Sequence, residues 1–339
     1  TQGRAFWILD DLQPIRSFDP SANDKVRLLP VAETFRVSGY SMFDGNEEVK
    51  QSYPITTGAN PSTGAVIYYQ LSNVVDSIKD LSIEIKDQQG KVLRTFSNKA
   101  YTRAGSNNSY KEEPLLTVKK GLNRFVWNLR HATITAIPNV YIESSFSGHK
   151  AIPGNYTIRL MAGGKIIGST TGVIEANPNF ATTASEYQQY DDLMRLMEST
   201  VTEMHQMVNQ LKDDATHIEA LVKKLKTDAT YSGEQYASLK QNAASLITDL
   251  KAWDEDMIQR RSTSYDDVEN FPNKFTANYM FMMNQTESDI PQVNQPNLDL
   301  LKEYTAEWEK LKARGLNLKN VAIPALNKQL WDLGMGAIW

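Results

Sequence analysis

A long heptad pattern is the feature that most limits what this chain can fold into. Between residues 187 and 225, apolar side chains recur at alternating spacings of three and four, and neither proline nor glycine interrupts them. The positions are Tyr187, Tyr190, Met194, Met197, Val201, Met204, Val208, Leu211, Ala215, Ile218, Val222 and Leu225. This spacing predicts the buried seam of one helix, about 60 Å long.

The start of this helix is also marked in the sequence. Thr183 and Glu186 stand in the spacing of a capping box, in which each side chain accepts a hydrogen bond from the other residue's backbone N–H. Residues 175–180 (EANPNF) contain a proline and predict the boundary between this helix and what precedes it.

Further helices are predicted after the first. Ser232 and Gln235 have the spacing of a second capping box. A second heptad run follows, at Tyr236, Leu239, Ala243, Leu246, Leu250, Trp253 and Met257. We expect the two long helices to form an antiparallel hairpin. Residues 274–286 and 298–311 predict two shorter helices, and Pro324 suits the first turn of a last one.

The preceding part of the chain alternates with the period of two that is typical of β-strands. In residues 121–130 (GLNRFVWNLR), Phe125, Trp127 and Leu129 face one way and polar residues face the other. Because a buried indole needs layers on both sides, we expect this strand in the middle of a sandwich. Similar alternation occurs at residues 65–71, 81–86, 91–97, 156–161 and 165–174. These strands predict an antiparallel β-sandwich.

The residues before 63 are less regular. Residues 5–9 (AFWIL) predict a short buried strand without an obvious partner, so we expect a further domain before Thr1. Residues 17–62 are rich in proline and glycine, and they predict an irregular strap laid across a surface. Within this strap, residues 25–29 and 32–37 are candidates for short extended pieces.

Composition excludes several classes of function. The 339 residues carry a net charge of −4 and no basic block, so we expect no nucleic-acid partner. No apolar run approaches the roughly 18 residues of a membrane span, so we predict that the chain is not membrane-spanning. Cysteine is absent, which excludes disulfides, thiol catalysis and thiolate metal sites. We predict no cofactor.

The four histidines are the remaining candidates for metal ligands. His205 and His217 are twelve positions apart on one predicted helix and point in different directions, so they cannot share a ligand. His131 and His149 flank the predicted loop 131–153, where they could approach each other, but we interpret them as histidines of a surface loop. We therefore predict no metal site.

Other candidates for chemistry are few. Asp10 and Asp11 are either half of a glycosidase acid/base pair or a turn at a strand end, and the turn is favoured because strand neighbours face opposite ways. The motifs of serine hydrolases, dinucleotide sites and phosphate loops do not occur, and we predict no catalytic residue. The candidates for glycan or partner contact are the loop aromatics Tyr101, Tyr110, Tyr141 and Phe146, which we expect to be exposed.

Several stretches together resemble a known family. Residues 1–16 (TQGRAFWILDDLQPIR) resemble the closing strand of large bacterial Asp-box (BNR) propellers of the sortilin type, which are usually labelled glycosyl hydrolases. Residues 60–69 (NPSTGAVIYY) fit the phrase that follows the strap in that family. Residues 121–130 and 153–157 (PGNYT) match the next module, which is similar to fibronectin type III and immunoglobulin-like sandwiches.

The resemblance implies four regions. These are a remnant strand of a preceding propeller (1–16), the strap (17–62), an immunoglobulin/fibronectin-like β-sandwich (63–176) and an antiparallel α-helical bundle with long heptad helices (181–339). The Asp-box motif itself does not occur in this chain, so the resemblance assigns no catalytic residue. Family members are typically exported, which implies an extracytoplasmic bacterial location: the periplasm, the cell surface or the medium.

The function expected from these observations is non-catalytic. We expect an accessory or scaffold region that braces the propeller of the same parent protein or docks a surface protein partner. Two alternatives stay open. One is a part of a sialidase-like glycoside hydrolase, which leaves open whether the parent protein is an enzyme. The other is a carbohydrate-binding module that uses the sandwich loops.

Overall fold

The structure is a computed structural model that describes residues 11–19, 21, 26–37, 62–71, 80–99, 113–287 and 291–337. Its content is mixed, with antiparallel sheets in the first half of the chain and long helices in the second. This order of sheets before helices confirms the coarse prediction. The finer domain boundaries, at 63–176 and 181–339, stay predictions.

The described residues contain eight strands in two sheets. The strands are β1 (Arg27–Leu28), β2 (Thr34–Phe35), β3 (Ala65–Leu71), β4 (Leu81–Lys86), β5 (Val92–Ser97), β6 (Gly121–Trp127), β7 (Gly154–Ala162) and β8 (Lys165–Glu175). One sheet has the order β1-β3-β6 and the other β2-β8-β7-β4-β5. Neighbouring strands are antiparallel except β2 and β8, which are parallel. The strands predicted from alternation are confirmed.

The two sheets bury one common apolar cluster. It takes Ile67 and Trp127 from the first sheet and Ile83 and Ile158 from the second, with their strand neighbours. Trp127 is 1% exposed, and its indole N–H donates to the carbonyl of Arg130 at 3.0 Å. Among the described strands, its own lies beside β3 at the edge of the first sheet. The predicted burial of Trp127 is confirmed, and its place in the middle of a sandwich stays a prediction.

The strap before β3 joins both sheets. Within its described part, β1 pairs with β3 and β2 pairs with β8, which confirms the two extended pieces predicted there. Leu28 and Val31 pack on β8 over Gly168 and Gly172, where an added Cβ would approach their side chains to 3.0–3.6 Å. The rest of the strap and the predicted strand 5–9 lie outside the described residues. The end of the predicted remnant, to residue 16, falls in a short helix, α1 (Gln13–Ser17), instead of a strand.

Helices make up the second half of the chain. They are α2 (Ala184–Thr227), α3 (Ala237–Met257), α4 (Asp267–Asn270), α5 (Phe275–Thr286), α6 (Gln295–Asn317) and α7 (Ile323–Asp332). The predicted heptad helix is α2, an unbroken helix of 44 residues. Its capping box is confirmed: the N–H of Glu186 donates to Thr183 Oγ1 at 3.2 Å, and the N–H of Thr183 donates to Glu186 Oε2 at 2.7 Å.

One helix start differs from the prediction and one is confirmed. The second capping box is wrong, because short 3-10 turns occupy residues 229–231 and 234–236 and α3 begins after Tyr236 without a side-chain cap. Pro324 lies in the first turn of α7, as predicted, and a π-helix (Leu318–Ala322) joins α7 to α6. A proline donates no N–H and crowds the turn before it, and a π turn at that point accommodates both effects.

The helical core also contains part of the β6–β7 connection. Five residues of that connection lie in the apolar cluster formed by the helices, namely Ile134, Ile137, Val140, Ile142 and Phe146. The prediction of a long loop at 131–153 is confirmed, but this loop is packed inside the molecule against α2. It therefore lies between the sheets and the helices. No described helix combines the length and apolar character needed to cross a membrane.

Candidate functional site

The two ends of the β6–β7 connection meet and bring two histidines together. Arg130 and Lys150 form an antiparallel bridge, and the N–H of His131 donates to the carbonyl of His149 at 3.0 Å. The two imidazole rings lie 3.9 Å apart between centroids. Gly148 permits this approach, because a Cβ there would lie 2.5 Å from the carbonyl oxygen of Ala132. The connection thus closes on itself and presents a pair of rings to α2.

Helix α2 meets this pair with two carboxylates. Asp191 Oδ1 lies 2.8 Å from His149 Nε2, and Glu198 Oε1 lies 3.0 Å from His149 Nδ1. Glu198 Oε1 also accepts the backbone N–H of His149 at 2.6 Å. The ring of His149 is completely buried, which lowers its pKa, but its hydrogen bonds to Asp191 and Glu198 outweigh burial and the pKa is raised. An imidazolium donates through both ring nitrogens, which is what two flanking carboxylates favour.

His131 has a different environment. Its Nε2 is buried, has no hydrogen-bond partner in the part of the chain that the structure describes, and lies 3.7 Å from Asp191 Oδ1. Burial, followed by the charge of the neighbouring His149, lowers the pKa of His131 to about 2. One histidine of the pair is therefore neutral while the other is held by carboxylates.

An arginine completes the cluster and connects it to a sheet. Arg195 Nε donates to Asp191 Oδ2 at 2.6 Å, and its Nη2 lies 3.5 Å from Asp87 Oδ2 in the β4–β5 turn. The other oxygen of Asp87 accepts the N–H groups of Gln89 and Lys91. Burial raises the pKa of Asp191, but hydrogen bonds from His149 and Arg195 outweigh it and lower this pKa to about 2. Asp191 thus binds the β6–β7 connection and Arg195 at the same time.

A cavity of about 480 Å³ opens beside these residues. The β4–β5 turn, residues 152–154 and the first turns of α2 form its walls, and Asp191 and Arg195 lie in its lining. The cluster is therefore buried on the side of the histidines and reaches the cavity through Asp191.

The chemistry that this cavity can support follows from its carboxylates. A glycosidase acid needs a raised pKa, whereas the pKa of Asp191 is lowered and Asp87 is bonded to Arg195 and to two backbone N–H groups. These acids are arranged for ionic bonding between elements. The ligand atoms of His131, His149 and Asp191 lie within 4.8 Å of one another, so these three could together hold a metal ion.

The two predicted contact residues that the structure describes, Tyr141 and Phe146, differ in exposure. Tyr101 and Tyr110 lie outside the described residues. Phe146 is 3% exposed and lies 6.0 Å from the ring of His205, so its predicted place on an exposed loop is wrong. The cause is the packing of its loop into the helical core. Tyr141 is half-buried, and its ring lies edge-on to the exposed Tyr265 at 6.2 Å.

The predictions for the histidines were partly wrong. His131 and His149 do approach each other, but they are buried rather than part of a surface loop. His205 is buried as well, and its Nδ1 donates to the carbonyl of Thr135, while His217 is exposed.

Sequence reasoning missed the acidic partners on α2. Asp191, Arg195 and Glu198 follow the spacing i, i+4, i+7, which places them on one stripe beside the apolar seam. Two signals in the sequence indicate this cluster. One is the charged stripe next to the apolar seam of the predicted helix, and the other is the loop 131–153 with a histidine near each end.

Comparison of the chain with protein-family models, with curated proteins and with solved structures finds no match.

Proposed function

We propose that this chain is a non-catalytic accessory or scaffold region of an exported bacterial propeller protein. In this proposal the two sheets form an immunoglobulin-like sandwich and the helices form an antiparallel bundle. The observation that carries it is the cluster around Asp191, whose ionisable groups are bonded between the β4–β5 turn, the β6–β7 connection and α2.

Such bonding suits a region that holds other domains in place rather than one that converts a substrate. Buried charges are costly unless paired, and here the partners come from three different elements. The contact of α2 with the connection continues beyond the cluster, through His205 with Thr135 and through Asn209 Nδ2, which donates to the carbonyl of Ala136 at 3.1 Å. Sheets and helices joined in this way can hold a neighbouring domain at a fixed angle.

Cross-linking mass spectrometry on the complete polypeptide tests this role. We expect cross-links from lysines of this region to residues that precede Thr1 in the parent protein, or to a separate surface protein in extracts of the exporting cell. Finding neither kind of cross-link, while links within the region form normally, would overturn the proposal. Fractionation of the same cells tests the extracytoplasmic location.

The glycosidase alternative requires an acid and a nucleophile or base in one cleft. The cavity beside Asp191 is where such a pair would be sought, and its bonded carboxylates disfavour it. Incubation of the chain with a panel of glycans separates the two functions: hydrolysis that is lost in Asp87→Asn but kept in Asp249→Asn would favour the enzyme.

One observation favours glycan binding as a second candidate. Tyr265 is 60% exposed beside the half-buried Tyr141, and the N–H of Tyr141 donates to the carbonyl of Ser262 at 2.8 Å, which fixes the two segments together. Glycan-array binding that is lost in Tyr265→Ala and kept in Tyr231→Ala would support it. Failure of the unchanged protein to bind any glycan would end it.

A further inference from the structure

His131 offers a ring nitrogen that has no hydrogen-bond partner among the described residues. The residue is 6% exposed, and its Nε2 lies 3.7 Å from Asp191 Oδ1. His149 Nε2 lies 2.8 Å from the same oxygen, Asp191 Oδ1. We propose that His131 Nε2, His149 Nε2 and Asp191 Oδ1 form a binding site for a divalent transition-metal ion of the zinc class.

The spacing of the three atoms fits such an ion. Ligands about 2.0 Å from a tetrahedral zinc ion lie about 3.3 Å from one another. The two measured separations, 2.8 Å and 3.7 Å, lie on either side of that value, and all three atoms are within 4.8 Å of one another. Changes of about 0.5 Å would bring these two separations to that value.

The donor types select the class of metal. Two imidazole nitrogens and one carboxylate oxygen suit zinc and its transition-metal neighbours, whereas magnesium and calcium prefer oxygen ligands alone. Glu198 already occupies Nδ1 of His149. A carboxylate in that position orients a ligating histidine and increases its basicity.

Binding of the ion would release one proton. The ion replaces the proton that lies between His149 Nε2 and Asp191 Oδ1, and this proton passes to solvent. The proton on His149 Nδ1 stays and is donated to Glu198. The neutral His131 would bind through Nε2 as the tautomer that carries its proton on Nδ1.

The surrounding charge favours a cation. Asp87, Asp191 and Glu198 bring three negative charges to the cluster, and Arg195 and Lys91 bring two positive charges. With both histidines neutral, these five groups leave a net charge of −1, which attracts a cation. The cavity beside Asp191 gives a path for entry to that carboxylate.

Titration of the untagged, chelator-treated chain with Zn²⁺ and Co²⁺ tests the site. We expect one equivalent to bind with release of a proton, Co²⁺ to show the visible absorption of a tetrahedral site, and Zn²⁺ to raise the unfolding temperature. His131→Gln removes a buried ring that lies 3.9 Å from the ring of His149, so circular dichroism must first show that the metal-free variant is folded. We expect it to lose at least 100-fold in affinity, since even outer-shell changes cost about 10–100-fold.

Two further variants complete the test. Glu198→Gln should weaken binding by about 10–100-fold if that side chain positions His149. His217→Gln removes an exposed histidine of α2 and should bind as the unchanged protein does. Absence of stoichiometric binding, or equal affinity in His131→Gln and the unchanged protein, would overturn the site. Neither result bears on the scaffold role, which is tested by cross-linking.

Discussion

Two faces of α2 hold the molecule together by different physical means. The seam face packs through apolar side chains such as Met194 and Val201, which are 2% and 0% exposed. The adjacent polar stripe consists of Asp191, Arg195 and Glu198. Its two carboxylates contact the ring nitrogens of His149, and Arg195 reaches the β4–β5 turn. An apolar contact loses stability in proportion to the atoms removed, whereas a buried charge that loses its partner keeps its whole desolvation cost. The polar stripe should therefore be the more fragile of the two faces.

The largest expected effect comes from Asp191→Ala. This change leaves His149 and Arg195 without their shared carboxylate, and we expect the free energy of unfolding to fall by about 3–5 kcal/mol. Urea unfolding followed by circular dichroism measures it. The matched control is Asp192→Ala, which removes the neighbouring exposed carboxylate and should change stability by less than about 0.5 kcal/mol. Equal effects of the two changes would show that the cluster contributes nothing specific.

The apolar seam provides the next comparison. Met204 is 0% exposed within the helical core, so Met204→Ala should cost about 2–5 kcal/mol through lost burial and an unfilled cavity. Leu196→Ala, on the exposed side of the same helix at 55% exposure, should cost under about 1 kcal/mol. Denaturant midpoints of the pair measure the difference. A similar loss for both would contradict the assignment of the seam.

The seam could be predicted from the sequence because it is periodic. The heptad positions of α2 are buried throughout, apart from Val222, which is half-buried. The strands of residues 65–71, 81–86 and 154–175 were found for the same reason, since alternation is a local property. Position within a sheet is not local, and so the alternation around Trp127 could not show that β6 lies at the edge of the described β1-β3-β6 sheet.

The polar stripe could not be predicted because its partners are distant in sequence. His149 and Asp191 are 42 positions apart, and no spacing rule joins a loop residue to a helix residue. The packing of Phe146 was missed for a related reason, since an aromatic residue in a loop is expected to be exposed until the surface covering it is known. The second capping box failed locally, because residues 229–236 form 3-10 turns before α3 begins.

A pH experiment sharpens the comparison within the polar contacts. Complete burial lowers the pKa of His205 to about 4, despite the hydrogen bond to Thr135, so the folded state holds this ring neutral. In the unfolded chain, this imidazole binds a proton as the pH falls below about 6.5. Its contribution to the free energy of unfolding is therefore complete above that pH and is lost as the pH falls toward 4. The total loss is about 3 kcal/mol.

The variant His205→Gln isolates that contribution. Its amide can still donate to the carbonyl of Thr135 but cannot gain a charge. Urea unfolding at several pH values between 7 and 4 should show a steeper loss of stability in the unchanged protein than in the variant. Parallel curves for the two proteins would mean that His205 is not held neutral.

The smallest expected effect compares the two predicted caps. Thr183 accepts the N–H of Glu186, so Thr183→Ala leaves a donor of the first turn of α2 without its partner and should cost about 1 kcal/mol. Ser232 stands in the same sequence pattern, but its side chain caps neither the 3-10 turn 234–236 nor α3, and Ser232→Ala should cost much less. Hydrogen exchange at the first turns of α2 and α3 measures both, and protection should decrease only at α2. Because the first turn of α2 lines the cavity next to Asp191, a loss of protection that spreads to the β4–β5 turn would show that the cap also supports the polar stripe.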